Sequence, residues 1–360
     1  MSTTDPTTTG GGELLPDRPA PAGLRPEHEQ ATLLDTLDLA AEQYLGERAR
    51  PNTRRAYADD WRVWSLFCAY LGVDVDTARL GLMVAFVEYL IRQQSAPSTI
   101  DRRLSGVAVT LAEHGVDVPR RITRAARKAL SAYRHELAET GVHRGRSQAV
   151  PVRIPHLRTI CTYLDVVIAD PATSTRDRLI ALRDKALLLI GFGIAARRSE
   201  LAGLHAVDVQ PSDRGLEITL RASKSSDTAA AVPVLAGTVP STCPLRAWLA
   251  WDRAVRDHLP GRGRAFVDLD GRAAGLRWLP ELSGHDVNTI IAGLDTAAEL
   301  NLGLTGHSLR AGLATAARQA GHDFKTIAAQ GRWSPRSTEP YRYMRIVDQW
   351  ADNATAGIGL

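Results

Sequence analysis

GHSLRAGLATAARQAGHDFKTIAAQGRWSPRSTEPYRYMR, residues 306–345, is the stretch from which the rest of the chain is read. His307 and Arg310 stand three apart at its start, and Ala, Leu and Ile then recur at helical spacing. Side chains at i and i+3 of a helix are neighbours, so the imidazole and the guanidinium share a face. An indole, Trp333, and two phenols, Tyr341 and Tyr343, follow. A guanidinium grips phosphate oxygens in pairs, and a phenol becomes a nucleophile when a neighbour takes its proton. Together the set suits chemistry on a phosphodiester. Taken singly, each residue has a plainer reading: a polar helix face, a core indole, packing tyrosines.

Upstream residues extend the set. In GIAARRSELAGL, Arg197 lies three before Glu200, so the carboxylate can hold the guanidinium in place. Leu216–Ser223 and Ala229–Leu235 read as a β-hairpin with Val, Ile and Thr at alternating positions. Lys224 sits at its turn, where a mobile ammonium could reach a substrate and donate a proton. Alone, the first is a surface ion pair and the second a turn lysine.

The chain has 360 residues, enough for two domains. Its 44 basic residues, mostly arginine, outnumber 40 acidic ones, a balance that suits an acidic partner. Cys68, Cys161 and Cys243 lie far apart and in no metal-ligand spacing, which points to reduced thiols in a cytoplasmic protein. No apolar run is long enough to span a bilayer, so no membrane partner is expected.

Residues 1–26 are rich in Thr, Gly and Pro and are expected to be a disordered tail. Residues 27–140 show helical periodicity throughout, with helices over 31–45, 54–72, 80–94, 98–114 and 120–137. Asn52 or Thr53 is expected to cap the second of these. Basic residues gather at helix starts: Arg48, Arg50, Arg54 and Arg55; then Thr99, Arg102 and Arg103; then Arg120, Arg121, Arg124, Arg127 and Lys128. Helix N-termini and arginines both bind phosphate, so three such clusters in one small domain point to a DNA backbone. Each cluster alone would be an ordinary solvated face. Residues 141–153, with Gly, Pro, Arg and no periodicity, read as a linker. From 154 onward helices resume around the hairpin, with a short strand or extended loop over 264–270. The fold class expected is mainly α with a small β-hairpin or sheet, an α+β second domain behind a helical first one.

The order is Arg with its Glu, hairpin Lys, His-x-x-Arg, Trp, then Tyr. In that order and in these contexts the chain resembles the tyrosine recombinase (phage integrase) family. GIAARRSELAGLHAVDV resembles the family's first arginine box, LRASKSSD its hairpin lysine, TGHSLRAG its second box, and GRWSPRS with YRYMR its final box and nucleophile. PNTRRAYADDWRVWSLFCAYLG is similar to the family's helical core-binding domain. The resemblance implies a SAM-like DNA-binding domain over 27–140, a catalytic domain over 154–345, and a tail over 346–360 that contacts a neighbouring protomer. It also implies attack by Tyr343 on DNA to give a 3′-phosphotyrosyl bond. Arg197, Arg310 and His307 would handle the phosphate, Lys224 the leaving oxygen, Trp333 the phosphate or the nucleophile helix, and Glu200 would support Arg197. No cofactor, metal or ATP is required. The partners implied are double-stranded DNA with specific target sites, a homo-tetramer with a dimer on each site, and in some settings an accessory protein.

One departure stands out. Ten residues separate Trp333 from Tyr343, one more than the usual spacing, and Tyr341 is one too close. The Arg-Tyr-Met-Arg context favours Tyr343, with Tyr341 the alternative nucleophile. Two other readings share the residues: a type IB topoisomerase or telomere-resolvase-like enzyme, and an inactive integrase-like DNA-binding accessory protein.

Overall fold

The computed structural model describes residues 36, 51–145, 148–221, 229–256, 263–270, 277–334, 337–344 and 355. The expected tail over 1–26, the helix over 31–45, Arg48, Arg50, Lys224 and nearly all of 346–360 lie outside them. The chain divides into two compact units, Met1–Arg146 and Ser147–Leu360.

The first unit holds α1 (Pro51–Leu71), α2 (Leu80–Arg92), α3 (Pro97–Glu113) and α4 (Arg120–Thr140). Helix α1 already begins at Pro51, so Asn52 and Thr53 lie inside it and are not its cap. Proline's fixed φ and missing N–H suit such a first position. Trp64, Phe67, Phe86, Leu90, Ile100 and Leu111 fill a core closed by tilted and edge-on aromatic pairs. Helix α4 shows why the pattern was readable. Ile122, Ala126, Leu130 and Tyr133 are buried at steps of three and four, while Arg120, Arg121, Arg124, Arg127 and Lys128 are exposed. Gly141 ends the helix at φ 66°, in the left-handed region that glycine adopts without penalty.

In the second unit come α5 (Ile154–Ala169), α6 (Thr175–Gly193) and α7 (Arg198–Gly203). Then follow β1 (Val209–Pro211), β2 (Gly215–Leu220), β3 (Ala230–Leu235), α8 (Pro244–Arg256), β4 (Val267–Asp270) and β5 (Arg277–Glu281). The described elements end with α9 (Gly284–Ala297), α10 (Gly306–Gln319) and α11 (Phe324–Gly331). Helix α6 is buried from Arg183 to Gly191: Ala186–Gly191 is apolar all round, and the buried Arg183 is paired with Asp184. Trp248 and Trp251 of α8 and Phe266 pack in the same core, and the Trp251 indole donates to the Ala265 carbonyl at 2.9 Å. Truncating Trp251 to Ala would cost about 3–5 kcal/mol.

The expected hairpin is present, with Leu216 facing Val234 and Ile218 facing Val232, but it belongs to a three-stranded antiparallel sheet in the order β1-β2-β3. The extended stretch before Asp270 pairs with β5. Both unforeseen strands are short, and β5 carries a proline, so neither shows a period-two signal.

Candidate active site

Helix α6 ends in three successive carbonyls that each receive a side chain from the last third of the chain. Gln330 Nε2 donates to Gly193 O at 2.8 Å, Arg332 Nη1 to Ile194 O at 2.7 Å, and Arg310 Nη1 to Ala195 O at 2.6 Å. Helix C-termini leave carbonyls unpaired and carry partial negative charge, so donors and cations belong there. Gln330 also donates to Pro233 O at 3.0 Å, which ties α11 to the hairpin strand β3.

Arg310 is 2% exposed, and its Nη2 has no hydrogen-bond partner among the described residues. A buried, half-used guanidinium lacks only an acceptor. The Trp333 ring lies over it, with Cζ 4.0 Å from the ring centroid. Trp333 also folds back on Gly331, where any Cβ would collide with the indole. Burial, then the charges of Arg197 and Arg332, push the Arg310 pKa down to about 9, with Glu200 and Tyr343 opposing.

Arg197 sits at the N-cap of α7 and not inside it. Glu200 takes the Arg197 N–H at 2.9 Å and its Nη1 at 2.6 Å, as the three-residue spacing led one to expect. Its second oxygen also accepts from Arg332 Nη2 at 2.7 Å. Burial alone would raise the Glu200 pKa, but Arg332 and then Arg197 outweigh it and hold the carboxyl below its ordinary value.

His307 and Arg310 project from the first turns of α10, whose position is built by α9. Asp295 accepts the N–H groups of Leu302, Gly303 and Leu304 at 3.1, 2.8 and 3.1 Å. Asn288 Oδ1 accepts from Gly306 N at 3.1 Å. At Gly312 a Cβ would strike the Val152 carbonyl, so the packing of α10 requires glycine there.

His307 Nε2 lies 2.7 Å from the Tyr343 hydroxyl. Tyr343 is 3% exposed, packed with Ala311, Ala314, Ile327 and Met344. Burial, then Arg310 and Arg197, hold the His307 imidazole below its usual range, against the pull of Glu339. Burial, then Glu339, raises the Tyr343 phenol. The pair is therefore a neutral imidazole beside a neutral phenol, ready for transfer of one proton. Tyr341 points elsewhere: it is half exposed and stacks on Phe324 at 4.0 Å and 15°.

The clustered basic residues of the first unit behave in two ways. Arg54, Arg55, Arg121 and Arg124 are exposed. Arg102 donates to the buried Asp60 at 2.6 Å, and Arg103 lies 3.7 Å from the same carboxylate. The Thr99 N–H bonds Ala96 O at 2.9 Å.

Residues 41–109 match the family model for the phage integrase N-terminal SAM-like domain. An integrase/recombinase xerD homolog of Selenomonas ruminantium is 29% identical over 325 residues, 89% of each chain. In both comparisons the chain is similar to members of the tyrosine recombinase (phage integrase) family. Its fold is shared by the Tn1549 transposon integrase solved with transposon right-end DNA, at TM-score 0.55 and 14% identity over 84% of this chain and 92% of that one. It is shared too by a lambda integrase dimer bound to a COC' core site, at TM-score 0.50 and 14% identity over 90% and 82%. No helix of this chain among the described residues is long and apolar enough to cross a membrane.

The structure thus gathers Arg197, Glu200, His307, Arg310, Trp333 and Tyr343, and leaves Tyr341 apart. Arg332 and Gln330 went unread in the sequence. The only signal was their place beside Trp333 in QGRW, where the indole drew the reading.

Proposed function

We propose that this site-specific recombinase cuts and rejoins duplex DNA through a 3′-phosphotyrosyl intermediate formed on Tyr343. The observation that carries the reading is the 2.7 Å contact between His307 and Tyr343, beside a buried guanidinium with a free donor. The neutral imidazole takes the phenolic proton as Tyr343 Oη attacks phosphorus. The bond from phosphorus to the 5′ oxygen breaks, and Lys224 protonates that oxygen. Rejoining reverses each step: the 5′ hydroxyl attacks, its proton returns to Lys224, and Tyr343 leaves as a phenol. Bond energy is kept in the adduct, so neither ATP nor a metal is required.

Arg310 and Arg197 hold the non-bridging oxygens as charge grows on them. One such donor contributes about 10²–10³ in rate. Trp333 braces Arg310 and packs near Tyr343, with ring centroids 6.4 Å apart. In this reading residues 27–140 are the DNA-binding domain, 141–153 the linker and 154–345 the catalytic domain. Arg50, Arg54, Arg55, Thr99, Arg121 and Arg124 touch the DNA backbone, with Arg102 and Arg103 contributing what Asp60 leaves free. Four copies act on two specific sites in the cytoplasm, the tail over 346–360 docking on a neighbour. Phosphate contacts make binding strongly salt-dependent.

The test is to incubate the protein with nicked duplex DNA from around its own gene and denature with SDS. The reading expects a DNA-linked protein band that is lost with Arg310→Ala. Salt-sensitive binding with no band on any duplex of a wide library would leave a binding protein in place of an enzyme.

A further inference from the structure

Arg332 carries more structure than a residue beside the indole needs. It stands at φ 53°, ψ 42°, the left-handed region where glycine is at ease and an arginine is strained. Its side chain is nonetheless only 14% exposed and engaged at both Nη atoms, bonding Ile194 O, Gln330 O and Glu200. Strain kept at a site next to reacting groups asks for a reason.

Glu200 supplies one. Its carboxylate bonds two guanidiniums, Arg197 and Arg332, while the third nearby, Arg310, donates to the Ala195 carbonyl and has no acidic partner among the described residues. Arg197 binds it through both backbone and fork, so whatever fixes the Glu200 rotamer also fixes the direction of the Arg197 guanidinium. Arg332 clamps Oε2, which also takes the Arg197 backbone N–H, while the Arg197 fork holds Oε1; Arg332 is itself fixed by two carbonyls.

We propose that Arg332 is a positioning residue: by gripping Glu200 it holds Arg197 in the orientation that meets the transferring phosphoryl group. The inference rests on the recombinase reading above. Arg332 touches no reacting atom and works through one carboxylate. A displacement of the order of 1 Å at a reacting group can cost about 10² in rate.

The experiment compares four full-length proteins, the parent, Arg332→Gly, Glu200→Gln and the double variant, with Arg332→Lys as a fifth. Glycine removes the side chain and relieves the backbone, so it deletes the grip without adding strain. Single-turnover formation of the SDS-stable adduct on nicked duplex, DNA affinity and urea unfolding are measured for each. Arg332→Gly should slow adduct formation about 100-fold with DNA affinity within threefold. Arg332→Lys should recover part of that rate, and methylguanidinium added to Arg332→Gly should recover part of it too, against a sodium chloride control. Because both residues act through one contact, the double variant should be no more than threefold slower than Glu200→Gln alone. Arg332→Gly within threefold of the parent, or losses that multiply in the double variant, would overturn the proposal. A parent that forms no adduct on any duplex would sink the recombinase reading instead. The unfolding cycle would then decide whether Arg332 and Glu200 act as a pair, and additive unfolding effects would remove that pairing as well.

Discussion

Each unit buries one carboxylate among arginines, and the two clusters are built to different ends. In the first unit Asp60 is fully buried, with Arg102 on one oxygen, Arg103 at 3.7 Å, and Oδ1 without a hydrogen-bond partner among the described residues. Burial dominates there and raises the Asp60 pKa despite both arginines. In the second unit Glu200 receives three donors, and its pKa is lowered. Around it sit three guanidiniums in place of two, and the third, Arg310, keeps a donor free among the described residues. The first cluster ties α1 to α3. The second holds buried positive charge in excess, a cost in the free protein that an incoming phosphate would relieve. Buried charge left over, more than buried charge as such, marks the site.

The strongest way to break this comparison is at the proposed nucleophile. Tyr343→Phe should reduce adduct formation by at least about 10⁴-fold, while Tyr341→Phe, which loses only a hydroxyl from a ring stacked on Phe324, should stay within threefold. Equal losses in an SDS gel assay would put the site in the wrong place.

Next in size is stability. Glu200→Gln leaves three guanidiniums without a counter-charge and should destabilise its unit by about 3 kcal/mol in urea unfolding. Asp60→Asn removes a carboxylate that burial already pushes toward the neutral form and should cost about 1 kcal/mol. The reverse order would refute the contrast between the clusters.

A subtler handle is pH. The His307 pKa lies below its ordinary 6.5, chiefly through burial and then through Arg310 and Arg197, with Glu339 opposing and the Tyr343 phenol facing it. The proton-accepting neutral form therefore persists through neutral pH and is lost only as pH falls below 6.5. Single-turnover cleavage should be level between about pH 8 and about pH 7 and decline only on the acid side of the ordinary histidine value. A decline that begins well above it would remove His307 as acceptor. The smallest effect belongs to the exposed face of α4. Arg121→Ala or Arg124→Ala should each lower the slope of log affinity against log salt by about 0.9 and leave unfolding unchanged. Arg102→Ala should in addition act on unfolding, because its Nη1 donates to the buried Asp60.

Much of this was legible from residue order. Helix α4 announced itself because its buried residues recur at three and four while its arginines fill the other face. His307 and Arg310, and Arg197 and Glu200, were legible because a three-residue step on a helix or at its cap brings side chains together. Context favoured Tyr343 over Tyr341 in the sequence, although neither fits the usual spacing; in the structure Tyr343 meets His307, 36 residues away, and Tyr341 stacks on Phe324. Arg332 was not legible. Its partners Ile194 and Glu200 lie 138 and 132 residues away, and its left-handed backbone is what aims it, which no local pattern reports. The strands β1 and β5 escaped for a simpler reason, being too short or too irregular for alternation to appear.

The most direct measurement is to digest the SDS-stable DNA adduct and map the DNA-linked peptide by mass spectrometry. The account predicts a nucleotide remnant on Tyr343, in the peptide that carries Glu339 and Met344. A remnant on Tyr341, the residue stacked against Phe324 and away from His307, would contradict it.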